Sequence, residues 1–179
     1  MPLTIVETVG GASANSYCTL AEALTYADAL FPVSEASAFA LADPDTQKRA
    51  LIAAAKTIDQ QRPWLVGERA TDTQALEFPR AGILKLDGLT AWDDDVIPLP
   101  VKDAQARLAL YLVKQQTSNA GPPGMAGLTG LKAISTPQVS LTFDDRAGAI
   151  PPLQQFFAAE IVTILGNLVR VPQSRMVRA

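Results

Sequence analysis

The stretch from Asp43 to Arg80 limits the possible folds of this chain more than any other. Asp43 is a good N-cap, and Pro44 stands where a first helical residue needs no amide hydrogen. Ala50, Leu51, Ala54, Ala55 and Ile58 then form the stripe of a half-buried helix, with Gln47, Lys48, Lys56 and Asp59 on its polar side. Arg62-Pro63 predicts its end, because a residue before proline is pushed out of the helical region. Beyond it, Trp64, Leu65, Val66, Leu76 and Phe78 lie on a segment with no helical or strand period. Such a segment must fold back and pin itself to the neighbouring helix. Trp64, Leu76, Phe78, Pro79 and Arg80 are read as the residues of this structural clamp.

The rest of the chain reads as mainly α, a small bundle of about four helices with one β-hairpin. Residues 2–9 alternate weakly and suit a short strand or an extended arm. Ala14-Asn15-Ser16-Tyr17 reads as a turn presenting Tyr17 to the core. Thr19 and Glu22 make a capping box for a first helix running to about Phe31. Residues 32–42 read as a connection with room for a helical turn. Asp87-Gly88 signals a turn. Asp93-Asp94-Asp95 reads as a solvated loop, since adjacent side chains diverge and the spaced ligands of a calcium loop are missing. Val101 to Ser118 gives a helix apolar over much of its girth, fit for the centre of the bundle, with Lys102, Asp103, Gln105 and Arg107 assigned to its polar side. Glycines at 121, 124, 127 and 130 mark a loop, without the Gly-Lys-Ser/Thr ending of a phosphate cradle. Leu131–Asp145 is the hairpin, with Ala133, Ser135, Val139, Leu141 and Phe143 on its apolar side. An isolated hairpin is marginal in water, so this one needs its own helices or a neighbouring subunit's edge. Leu153–Val169 is the last helix, wide enough in its apolar face for core packing alone or for core plus a subunit contact. The domain is therefore expected over residues 1–169, with an extended basic tail over 170–179.

Charge and chemistry narrow the function. Residues 1–103 carry eight Lys/Arg against fifteen Asp/Glu, and residues 104–179 carry seven against three. An acidic body with a basic end suits docking on another protein better than tracking a phosphate backbone. With no histidine, Ser–His and Cys–His pairs are impossible and the commonest metal ligand is missing. Cys18, the single cysteine, has no nearby cation in sequence and reads as a small buried hydrophobe. No catalytic residue, cofactor or metal is expected, and no apolar run is long enough for a membrane span.

Three stretches carry a family resemblance. They are Gly11-Ala12-Ser13-Ala14-Asn15-Ser16-Tyr17 with Thr19-Leu20-Ala21-Glu22-Ala23, then Trp64 to Arg69 with Thr73 to Arg80, and finally the short helix with its basic ending. Together they resemble a tailed-phage family labelled DnaT-like single-stranded-DNA-binding protein, whose members look like head–tail connectors, or adaptors. The resemblance implies a virion structural protein in the neck, assembled in the host cytoplasm as a ring homo-oligomer of about twelve copies matching the portal. It implies as partners the portal protein, a downstream tail or stopper protein, and DNA passing through the lumen without sequence recognition. Arg170, Val171, Pro172, Gln173, Ser174, Arg175, Met176, Val177 and Arg178 would then be a portal-docking tail, the alternative being a frayed terminus. Val139, Leu141 and Phe143 would be an inter-subunit hairpin. The other reading takes the label at its word, as a single-stranded-DNA-binding replication accessory protein. A net charge of −3 and 6% aromatics argue against it.

Overall fold

The computed structural model describes residues 3–30, 33–85, 87–118, 133–135, 140–142 and 159–170. Five α-helices lie among them: α1 (Leu20–Asp28), α2 (Val33–Ala40), α3 (Pro44–Asp59), α4 (Leu99–Ser118) and α5 (Ala159–Leu165). The fold is mainly α with a β-hairpin, as the periodicity predicts. Helix α4 is its axis, and α1, α2, α3 and α5 all pack against it. Val101, Ala104, Ala109, Leu110 and Val113 of α4 are sealed from solvent, facing Leu51, Ala54, Ala55 and Ile58 of α3 in the same core.

Local sequence signals place the helix starts. Thr19 Oγ1 accepts from Glu22 N at 3.0 Å, and Glu22 Oε2 accepts from Thr19 N at 2.7 Å. Asp43 Oδ1 accepts from Thr46 N at 2.9 Å, with Pro44 as the first helical residue. Helix α3 ends at Asp59, and a 3-10 turn over Arg62–Trp64 carries the chain away. The stretch expected as a connection holds a full helix, α2, which buries Ala36 and Phe39 three positions apart. Of the last predicted helix, only the part from Ala159 lies among the described residues, and Gly166–Leu168 closes it as a 3-10 turn.

Two small antiparallel pairs complete the fold. Strand β1 (Glu68–Arg69) pairs with β2 (Arg80–Ala81) within the predicted clamp, Glu68 opposite Ala81 and Arg69 opposite Arg80. Strand β3 (Ala133–Ser135) pairs with β4 (Ser140–Thr142) where the hairpin was expected. Its register sets Ile134 opposite Leu141 and Ala133 opposite Thr142. Since cross-strand partners share a face, Leu141 goes with Ile134, which corrects its expected grouping with Ala133 and Ser135. Val139 and Phe143 lie outside the described residues, as does the 121–130 glycine segment.

The sequence misplaces three polar groups. Gln105, assigned to the polar side of α4, is completely buried. Its Oε1 accepts from Tyr17 N at 2.8 Å and Cys18 N at 3.1 Å, while its Nε2 donates to Ser16 Oγ at 2.7 Å and Leu51 O at 2.8 Å. One amide thereby joins the N-terminal loop, α3 and α4. Gln47, placed on the polar side of α3, is buried and donates to Phe39 O at 2.7 Å, tying α2 to α3. Arg107 is buried too, its Nε 2.8 Å from Glu160 Oε1, which fastens α5 to α4.

Two expected outcomes follow from this packing. Gln105→Leu strands two amide hydrogens and a carbonyl in the interior and should cost about 3 kcal/mol or more, read as a lower urea midpoint. Phe78→Ala should cost about 3–5 kcal/mol, because its ring is 1% exposed and packs edge-on against Tyr17 at 5.8 Å between centroids.

Candidate nucleic-acid interface

The clamp is built on a polar lattice beneath an exposed rim. Tyr17 donates its hydroxyl hydrogen to Asp59 and accepts from Glu77 N and Phe78 N at 3.2 and 3.3 Å. Arg80, almost fully buried, donates from Nε to Val66 O at 2.8 Å, from a terminal nitrogen to Gly67 O, and from the other to Glu77 Oε2 at 2.6 Å. Gly67 has a φ of +75°, and a Cβ there would stand 2.2 Å from Ala81 O, so only glycine lets the two arms of the clamp close. The structure therefore places Leu76, Phe78, Pro79 and Arg80 in the interior and leaves Trp64 half-buried at the edge.

Three segments meet at that edge. Residues 64–66 pair with 168–170 through Val66 N to Leu168 O at 2.9 Å and Arg170 N to Trp64 O at 2.7 Å. Asn167 Nδ2 reaches across to Leu84 O at 2.6 Å and Lys85 O at 3.1 Å. Leu84 and Lys85 pair back onto Thr90 and Ala91, through Lys85 N to Thr90 O, and Asp87 Oδ1 accepts from Leu89 N and Thr90 N at 2.9 Å each. Those backbone bonds hold the Asp87 carboxyl down at about 2. The Lys85 ammonium lies 5.3 Å from the Trp92 ring centre. This platform of bonded segments carries both tryptophans of the chain, each half-exposed; Lys85 lies over Trp92, Arg170 is bonded through its backbone to Trp64, and Arg62 is two residues from Trp64 in the chain. Asp93, Asp94 and Asp95 are exposed beside Trp92 and bound it on one side.

Sequence reasoning treated Trp64 as a clamp anchor and passed over Lys85 and Trp92. A tryptophan flanking an Asp-Gly turn is the signal that marks them. Of the predicted docking tail, Arg170 is described and exposed, and its backbone is held by Trp64; residues 171–178 lie outside the described residues.

The family described as "Putative DnaT-like ssDNA binding protein" matches residues 1–179. The chain belongs to this family. No curated protein and no solved structure matches it. The family description overturns the head–tail connector expectation, and with it the virion ring of about twelve copies, the portal and tail partners, and a DNA that merely passes through. The physical reason lies in the residues that carried the resemblance. Asn15 clasps residues 4 and 6, Tyr17 anchors the clamp and Arg80 locks it. They specify a fold, and a fold does not specify a ring.

Asp59 gives the clamp a pH signature. Burial raises its carboxyl to about 6, against the hydrogen bonds from Tyr17 and Glu77 N, which lower it; the Glu77 carboxylate adds to the rise and Arg69 opposes it. The folded value lies above the ordinary 3.8, so the stabilisation from proton uptake is complete below that value and lost as pH rises through about 6. Asp59→Asn keeps an oxygen for Tyr17, and its Tm relative to wild type should climb between pH 4 and pH 7. A difference that stays constant over this range would remove Asp59 as the titrating group.

Proposed function

We propose that this protein binds single-stranded DNA non-catalytically, with bases stacking on Trp92 and Trp64 and phosphates drawn to Arg62, Lys85 and Arg170. The observation that carries this reading is the platform itself. Both tryptophans are half-exposed on segments bonded to one another, and one of them already holds a lysine against its ring. Aromatic rings interleaved with cations are what an unpaired strand requires, since every base has a face to stack and every step a charge to neutralise. The family description supports the same reading.

The overall acidity acts on strength rather than on kind. A chain of net charge −3 has no broad basic groove, so few phosphates are neutralised and stacking supplies much of the affinity. With about three phosphate contacts, the slope of log affinity against log salt should be near −2. The absence of histidine, which removes the commonest general base, supports a non-catalytic role.

The two tryptophans are the only ones in the chain, so their fluorescence reports the site directly. Titration with an oligodeoxythymidylate at low salt should quench it. Trp92→Ala should weaken binding by about tenfold, within the range of one lost stacking contact. Unquenched fluorescence and unchanged anisotropy of a labelled strand, at protein concentrations up to about 100 μM, would reject the reading, since non-specific binding already falls within that range.

A further inference from the structure

Beside the tryptophan platform lies a polar hollow of about 360 Å³, lined by Arg62, Arg69, Arg80, Gly67, Glu68 and Asp72. Its three guanidinium groups are in different states. Arg80 has each of its three nitrogens bonded, to Val66, Gly67 and Glu77, and its charge is paired with the Glu77 carboxylate, so its part is to hold the wall of the hollow. Arg69 gives one terminal nitrogen to Gln74 O, yet its Nε is buried and finds no acceptor among the described residues. Arg62 is loosely held, its Nε 3.7 Å from Glu77 Oε1 and its side chain 67% exposed. A buried guanidinium donor without an acceptor is costly, and an oxyanion is the group that best repays it.

The carboxylates do not cancel this preference. Glu77 is spent on Arg80 at 2.6 Å. Glu68 and Asp72 are exposed on the rim, where water and salt screen them, whereas Arg69 is half-buried with its Nε sealed from solvent, where charge acts more strongly. We infer that this hollow is a phosphate-binding site, with Arg62 and Arg69 donating to the oxygens of one backbone phosphodiester of the bound strand and the Arg80–Glu77 pair holding the wall behind them. This rests on the single-stranded-DNA reading and adds to it a fixed point of register. Arg62 is two residues from Trp64, so a phosphate held here places the neighbouring base within reach of the platform.

The test compares Arg62→Gln, Arg69→Gln and the charge-matched control Arg49→Gln, an exposed arginine ten residues before the end of α3. Labelled oligodeoxythymidylate is titrated into each full-length protein. Arg62→Gln and Arg69→Gln should each weaken binding by about tenfold and shrink the salt slope by about 0.7, the loss of one phosphate contact, while Arg49→Gln leaves both unchanged. Asp72→Asn, on the rim, should tighten binding. Arg62 is largely in solvent, so its substitution tests the site without risk to the fold. If the wild type binds the strand and both pocket variants behave like Arg49→Gln, the hollow is not a phosphate site and the tryptophan platform stands alone. If the wild type binds no strand, the function reading fails and inorganic phosphate decides the inference. Broadening of the phosphorus resonance by wild type but not by Arg69→Gln keeps the site, and equal spectra overturn it.

Discussion

The structure depends on one buried amide. Gln105 sits on the central helix with every hydrogen-bonding group it has in use, two backbone hydrogens from the Tyr17–Cys18 turn entering one end and Ser16 and Leu51 meeting the other. An apolar residue there would pack, but it would not specify which loop lies against α4. Because a buried donor without a partner is expensive, Gln105 admits only the arrangement that satisfies all its contacts. That fixes Tyr17, whose hydroxyl then holds the backbone of Glu77 and Phe78 and positions the clamp. The candidate interface is thus at the far end of a chain of hydrogen bonds that begins in the core.

This layered dependence explains what could be read in advance. Thr19 with Glu22, and Asp43 with Pro44, are signals closed within three residues, and the helices begin where they say. Helix α4 was legible because its apolar residues cover most of its girth. Gln105, Gln47 and Arg107 are misplaced for one reason: helical periodicity assigns a polar residue to the solvent side, and only its distant partners show otherwise. Tyr17 lies 42 residues from Asp59 and 88 from Gln105. Helix α2 was missed because its eight alanine-rich residues give little amphipathic contrast, and its burial of Phe39 is decided by α4.

The site was less legible than the fold, for a different physical reason. Trp64 and Trp92 are large apolar groups, and on sequence alone such groups belong in the core. Their half-exposure follows from two irregular segments and residues 166–170 meeting at an edge, a tertiary fact with no local period. The family resemblance ran through Asn15, Tyr17 and Arg80, all of which hold backbone in place. Motifs of this kind identify a fold securely and leave its use open, which is how the connector expectation arose and why it failed.

The seam between residues 64–66 and 168–170 has a mechanical consequence. It consists of two backbone bonds, with the Asn167 amide as a third fastening to the 84–85 carbonyls. A load applied beyond Arg170 meets these fastenings one after another, not together. A seam opened in this way breaks one bond at a time, and the force needed never exceeds that of its strongest single fastening. Residues 168–170 can therefore be peeled from residues 64–66 under a smaller force than would part both backbone bonds at once.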